Sequence, residues 1–372
     1  MTALPAAWAR IRSGARIFDP ALTAILLLLM LLSLLTMHSA AYDFPGRFEG
    51  HARNLAVAVA VLWIMALVPP ALLMRVALPL YLFGVALLIG VALFGDVSKG
   101  ARRWLNLGFG RVQPSELLKI AVPLMLAWYF QRREGGRHWA DFLLATVALA
   151  VPVALIARQP DLGTALLVLA AGGFVIFLAG LNWRVIAGLA ALGAAAAPLI
   201  WPLLHDYQRQ RVLTLLDPSS DPLGKGFHII QSTIAVGSGG FWGKGYMEGT
   251  QTHLEFIPER TTDFIFAVFS EEFGLAGNAV LIALYLLLIG RGLAIASGAG
   301  TVFGQLLAGA ITLMLFTYAF VNMGMVSGIL PVVGVPLPFM SYGGTAMVTL
   351  GMGMGMLMSI HRHRKAPGTR GR

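Results

Sequence analysis

Three acids and one arginine stand together in Glu255-Phe256-Ile257-Pro258-Glu259-Arg260-Thr261-Thr262-Asp263-Phe264-Ile265-Phe266, directly before an apolar run. A carboxylate so placed can take a proton from an attacking hydroxyl, and an arginine can meet an anionic leaving group. A simpler role competes. Asp263 immediately precedes an apolar segment and Asp is a preferred helix N-cap, so on the residues alone capping is the better reading. Glu259 and Arg260 read as a local ion pair or as interfacial anchors. Because the run after Asp263 must enter lipid, all these groups lie at a membrane surface.

A second constellation is Arg111-Val112-Gln113-Pro114-Ser115-Glu116-Leu117-Leu118-Lys119. Pro114 suits the first position of a helix and Glu116 the third, where an acid complements the macrodipole. Lys119, three residues on, falls on the same face and can pair with Glu116. Charges entering a lipid-facing helix cost roughly 2.5 to 3.5 kcal/mol each, so both are expected to point to a wet cavity. Arg158-Gln159-Pro160-Asp161-Leu162-Gly163 repeats the proline-then-acid device, and helix capping accounts for Asp161. Gly237-Ser238-Gly239-Gly240-Phe241-Trp242-Gly243-Lys244-Gly245 invites comparison with a phosphate loop. Position 238 is Ser where a Walker loop needs Gly, and no Ser or Thr follows Lys244, so no nucleotide is expected. A flexible turn cluster explains it, with Lys244 still able to meet a phosphate. Pro331, Pro336 and Pro338 mark 328–344 as a re-entrant or surface hairpin, tolerated only where protein or a cavity covers its backbone.

These groups need elements to hold them, and composition says which kind. The chain is 58% hydrophobic and 12% charged, against about 25% charge in a soluble domain. Crossing about 30 Å of hydrocarbon takes roughly 20 helical residues. Apolar stretches fall at 21–41, 54–73, 76–95, 116–131, 140–157, 163–180, 185–204, 264–290, 302–325 and 344–360. The expectation is an all-α polytopic membrane protein, a single domain over 1–372 with about ten transmembrane helices. A large extracytoplasmic loop, 205–263, separates helices 7 and 8, and 361–372 is a basic cytoplasmic tail. Within the loop, 206–211 extends the seventh helix, and the glycine-rich 224–249 lies on the membrane as an amphipathic segment.

An even number of spans puts both termini on one face, which carries 14 of the 27 Lys and Arg but 3 of the 17 acids. That face is cytoplasmic by the positive-inside rule, and the first apolar run is an uncleaved span. The net charge of +10 therefore reflects orientation and anionic lipid, not nucleic acid. With no cysteine, disulfides, a thiolate nucleophile and a cysteine metal site are excluded. Gly351 and Gly355 give the last span a close-packing face.

At these motifs the chain resembles the SEDS family of cell-shape and division proteins over nearly its whole length. The resemblance rests on Gly100-Ala101-Arg102-Arg103-Trp104-Leu105, Gln113-Pro114-Ser115-Glu116, Gln159-Pro160-Asp161-Leu162-Gly163, Pro258-Glu259-Arg260-Thr261-Thr262-Asp263-Phe264 and Ser341-Tyr342-Gly343-Gly344. Leu330-Pro331-Val332-Val333-Gly334-Val335-Pro336 is more similar to the elongation branch than to the division branch. The resemblance implies a peptidoglycan glycosyltransferase of a bacterial plasma (inner) membrane that polymerises lipid II on the outer face during elongation and rod-shape maintenance. Asp263 matches the family's essential loop aspartate, which turns the reading from cap to catalysis, and Glu116 and Lys119 match its conserved charged pair. It implies a divalent cation, Mg or Mn, with no nucleotide, haem or flavin. Its implied partners are a class B penicillin-binding protein transpeptidase and the elongation machinery.

Such a reaction joins a sugar hydroxyl of one lipid-linked disaccharide to the anomeric carbon of another and expels a polyprenyl pyrophosphate. Asp263 is the candidate base. Arg111, Lys119, Arg209, Arg211, Lys244 and Arg260 are candidate cations for the pyrophosphate, with Gln113, Glu116, Asp161 and Glu259 beside them as substrate-binding candidates. Two other classes compete: a flippase for the same lipid and a non-catalytic scaffold for the transpeptidase. Carriers place ionisable groups or broken helices near the midplane, whereas here the charges collect at helix ends, which favours surface chemistry.

Overall fold

The computed structural model describes residues 18–98, 101–106, 111–134, 137–159, 161–203, 206–220, 224–254, 256–257 and 259–364. Among them are ten helices of 17 or more residues: α1 (Pro20–Ala40), α2 (Arg47–Leu67), α3 (Pro70–Phe94), α4 (Pro114–Gln131), α5 (Trp139–Ala157), α6 (Leu162–Leu178), α7 (Trp183–Ile200), α11 (Ile265–Ser297), α12 (Val302–Val326) and α13 (Gly344–Arg362). Six of these, α1, α2, α3, α5, α11 and α12, are long and apolar enough to cross a membrane. Three shorter helices, α8 (Asp206–Leu216), α9 (Lys225–Ser238) and α10 (Thr250–His253), lie between α7 and α11. The molecule is thus mostly helical, as expected, with one addition. Strands β1 (Asp96–Ser98), β2 (Ala101–Asn106) and β3 (Arg111–Val112) form an antiparallel ribbon in the order β1-β2-β3, with Asp96 opposite Trp104 and Asn106 opposite Arg111. This connection between α3 and α4 is too short to span, and it satisfies its backbone groups by pairing with itself.

Helix boundaries follow local chemistry more closely than hydropathy. The second span, expected at 54–73, is corrected to Arg47–Leu67. Gly46, at φ 73°, turns the chain into α2, so Arg47, Glu49 and His51 are helical. Pro69-Pro70 disfavours helical geometry just before it and ends the helix at Leu67, and α3 starts at Pro70 and takes in Arg75. The small-residue face of α13 does pack closely: a Cβ on Gly351 would come within 2.5 Å of the Ala58 carbonyl, and one on Gly355 within 2.5 Å of the Leu62 carbonyl. No side chain fits there, so the α2 and α13 backbones meet directly.

The ends of α1, α11 and α13 are joined by a buried carboxylate. Asp19 caps α1 through the Leu22 amide at 2.8 Å, accepts from Arg291 Nε at 2.9 Å, and lies 3.3 Å from His361 Nε2. Burial works against its charge, but the Arg291 hydrogen bond, the Leu22 amide and the nearby cations hold its carboxyl below the usual range. At the other end α11 is broken at Gly274 (φ 63°, ψ −161°). The segment after α9 fills the break: Lys244 N donates to Glu271 O at 3.0 Å, Gly245 N to Glu272 O at 3.2 Å, and Leu275 and Ala276 N to Gly240 and Phe241 O at 2.9 Å each. The glycines of 237–245 are therefore a fitted clamp and not a flexible cluster, since a Cβ on Gly239 or Gly243 would strike the Ser270 or Glu272 carbonyl. The glycine-rich segment begins as α9, whose Ser232 Oγ donates to Val326 O at the end of α12 at 3.0 Å.

Candidate functional site

Asp263 sits in the tight turn 259–264, entered through Glu259 at φ 51°, where Thr262 N and Phe264 N donate to Glu259 O at 2.9 and 3.3 Å. The N-cap of α11 is Phe264, which offers no side-chain hydrogen bond. Asp263 therefore stands one position before the cap. Its backbone is held from α12: Asn322 Nδ2, fully buried, donates to Asp263 O at 2.8 Å and to Val335 O at 2.7 Å. Tyr342 N donates to Thr261 O at 2.8 Å. Gly334, at φ 74°, faces the carboxylate so closely that a Cβ there would lie 3.3 Å from Asp263 Oδ2. The neighbouring Val333 carbonyl leans on Gly163 at the start of α6, at 2.6 Å from a Cβ built there.

The segment that does this runs without regular structure from 331 to 337, with Val335 and Leu337 buried, 331–333 half-buried and Gly334 exposed. Tyr285 Oη donates to Pro338 O at 2.6 Å and Leu337 N to Ser341 Oγ at 2.8 Å.

Arg260 is an anchor. Its Nε donates to Ala40 O at 2.9 Å, it pairs with Asp43, and its guanidinium lies 5.3 and 4.9 Å from the ring centres of Tyr42 and Phe44. The turn between α1 and α2 thus grips the Asp263 turn. Glu259 is exposed and accepts from Thr262 Oγ1 at 3.0 Å.

Glu116 and Lys119 form the expected pair at 2.6 Å, but their surroundings correct the expectation of a wet cavity. Lys119 is 2% exposed and Glu116 9%. Thr349 of α13 donates to Glu116 Oε2 at 3.3 Å, and the Tyr318 ring of α12 lies 5.2 Å from Lys119 Nζ. The pair cross-links α4, α12 and α13 inside protein because a partner and a polar lining replace the water that lipid would deny it. Asp161 caps α6 through Thr164 N at 3.2 Å, and its second oxygen takes Gln113 Nε2 at 3.2 Å and lies 3.9 Å from Arg103. Arg103, from β2, also donates to Gln159 O at 3.4 Å.

Two expected phosphate partners are engaged elsewhere. Lys244 Nζ donates to the fully buried Glu271 at 2.7 Å and to Thr250 Oγ1 at 2.7 Å, so it neutralises a carboxylate of α11. Arg209 Nε donates to Trp201 O at 3.0 Å and its other nitrogen to Pro202 O, satisfying carbonyls beyond α7. The side chains of Arg111 and Arg211, together with Pro160, Glu255, Pro258 and the tail from 365, lie outside the described residues. Sequence reasoning missed Asn322, Glu271 and Glu272, all buried. The signal was present in each case: a strongly polar group inside an apolar run is costly and marks a partner. Among the described residues no three His, Cys, Asp or Glu side chains converge as a metal cage.

The family model for FtsW/RodA/SpoVE cell cycle proteins matches residues 19–366. Peptidoglycan glycosyltransferase MrdB of Escherichia coli K12 is 53% identical over 348 residues, covering 93% of this chain and 94% of its own length. Its namesake in Helicobacter pylori J99 is 38% identical over 300 residues, covering 79% of this chain and 77% of its own. A chain of a peptidoglycan synthase complex that coordinates polymerization and crosslinking superposes with a TM-score of 0.81 at 36% identity, covering 93% of this chain and 98% of that one. The rod shape determining protein RodA of Thermus thermophilus does so at 0.71 and 29% identity, covering 94% of this chain and 98% of that one. The match runs through both the Asp263 turn and the Glu116–Lys119 core, and the chain belongs to the FtsW/RodA/SpoVE family.

Proposed function

We propose that this chain is a peptidoglycan glycosyltransferase that polymerises lipid II into glycan strands, with Asp263 as general base. The observation that carries the reading is the placement of Asp263 two residues before its helix, with its backbone fixed by Asn322 and its turn fixed by Arg260 and Tyr342. A base must be held within hydrogen-bond reach of the hydroxyl it deprotonates, and this turn is secured by three separate elements. Asp263 takes the proton as the acceptor hydroxyl attacks the anomeric carbon, and the pyrophosphate of the donor leaves. Glu116, Lys119 and Asp161 act through position, bracing α4, α6, α12 and α13 behind the reacting groups. A divalent cation belongs to this reading. The donor set suits one held by substrate phosphates and at most a carboxylate such as Asp263, as Mg²⁺ commonly is, and it would supply positive charge to the leaving group.

The ten long helices support ten spans, with both termini cytoplasmic and the Asp263 end outside, in keeping with the charge bias of the connecting segments. The transpeptidase partner is supported by the synthase complex whose chain this one resembles. Purified full-length protein given lipid II, wild type against Asp263→Asn, tests the assignment. Glycan strands from the wild type and none from the variant are expected. Equal synthesis by both removes Asp263 from the chemistry, and no synthesis by the wild type with transfer of lipid II across vesicles would establish the flippase instead.

A further inference from the structure

An anionic leaving group needs a cation whose charge is not already neutralised, and four of the described cations at the Asp263 end are neutralised by a carboxylate. Lys119 pairs with Glu116, Lys244 with Glu271, Arg260 with Asp43, and Arg103 with Asp161. Arg47, the first residue of α2, differs. Its guanidinium lies 4.5 Å from the ring centre of Tyr342 and 5.4 Å from that of Phe44, and among the described residues no carboxylate pairs with it. It is partly buried, whereas Arg53 and Arg158 are exposed and have neither a carboxylate nor an aromatic cradle among the described residues.

Stacking engages the face of a guanidinium and leaves the N–H edge, the fork that binds phosphate oxygens in pairs, in the plane. Arg47 is therefore ordered without being neutralised. Its cradle is also part of the catalytic turn: Tyr342 N holds Thr261 O at 2.8 Å, and Phe44 is shared with Arg260 at 4.9 Å. One turn along the same face of α2, a Cβ on Gly50 would meet Tyr342 Oη at 3.0 Å. The next turn brings Asn54 Oδ1 within 3.4 Å of a Cβ on Gly344, where α13 begins with no side-chain cap. Arg47, Gly50 and Asn54 thus share the face of α2 that meets Tyr342 and the start of α13.

We infer that Arg47 binds the pyrophosphate of the lipid-linked substrate beside Asp263. This rests on the glycosyltransferase reading, and the test separates the two. Full-length wild type, Arg47→Gln and Arg47→Lys in nanodiscs are titrated with undecaprenyl pyrophosphate, and lipid II polymerisation kinetics and Tm are measured on the same samples. Arg47→Gln should raise Kd and KM about tenfold or more, the loss of one charge-assisted contact, with Tm unchanged and Arg47→Lys intermediate. Undecaprenol, which has the tail without the phosphates, should bind wild type and Arg47→Gln alike. Unchanged Kd and KM with lowered Tm would make Arg47 a staple and overturn the inference while polymerisation by the wild type leaves the function standing. Inorganic pyrophosphate binding the wild type as tightly as the lipid would overturn the lipid-linked assignment. A wild type that makes no glycan under any condition would instead remove the function on which the inference rests.

Discussion

A carboxylate that caps a helix and one that takes a proton can be told apart by exchange for the amide, since Asn caps about as well as Asp but is no base. Asp263→Asn should lower polymerisation by at least about a hundredfold. Asp263→Ala should do the same and leave Tm unchanged, because the cap of α11 is Phe264 and the usual cost of about 0.5–2 kcal/mol for a lost cap does not arise. A drop in Tm with the Ala variant would show the carboxylate to be structural. Glu116 and Lys119 are a different case, for removing either leaves the other charge buried. Each alanine variant should lose about 3–5 kcal/mol, and the double variant less than the sum, measured as denaturation of the four proteins of a double-mutant cycle. Additive losses would show two independent groups. The pairing itself was legible from the three-residue spacing. The enclosure was not, because Tyr318 and Thr349 come from α12 and α13 and no spacing within α4 announces them.

At the scale of elements, the break in α11 makes a sharp comparison possible. Gly274 combines φ 63° with ψ −161°, a backbone region open to glycine, and a Cβ there would strike Gly243 N. Gly240 also has positive φ, at 57°, but faces open space. Gly240→Ala should cost about 1–2 kcal/mol, and Gly274→Ala should cost more because it also breaks the clamp; folded yield and Tm would rank them, and equal losses would mean that the clamp contributes nothing. The clamp was hidden from sequence because its glycines matched a turn cluster equally well; only the opposing carbonyls of Ser270 and Glu272 explain them. The start of α2 was hidden for a related reason. Its first turns carry Arg47, Glu49 and His51, and hydropathy places such residues outside a span, although Gly46 had marked the start of the helix. Close packing of Gly351 and Gly355, by contrast, was readable, since their spacing alone aligns them on one face of α13.

For the whole molecule, the absence of cysteine makes single substitutions clean reporters of sidedness. Glu259→Cys should react with an impermeant maleimide from outside intact cells and Arg364→Cys only after lysis; the reverse pattern would invert the topology. The mostly helical, multi-pass architecture was legible because hydropathy acts over whole segments. The exposure of α7 was not, since it depends on what fails to pack against the helix. Every side chain from 183 to 195 is exposed, while α1, α11 and α13 are tied together through Asp19 at one end and by the Arg260 and Tyr342 contacts at the other. In a bilayer α7 would tilt without breaking contacts of side chains 183–195 within the protein, so bilayer thickness would set its angle more than the fold does. A helix held so lightly is the element that a change in bilayer thickness would reach first.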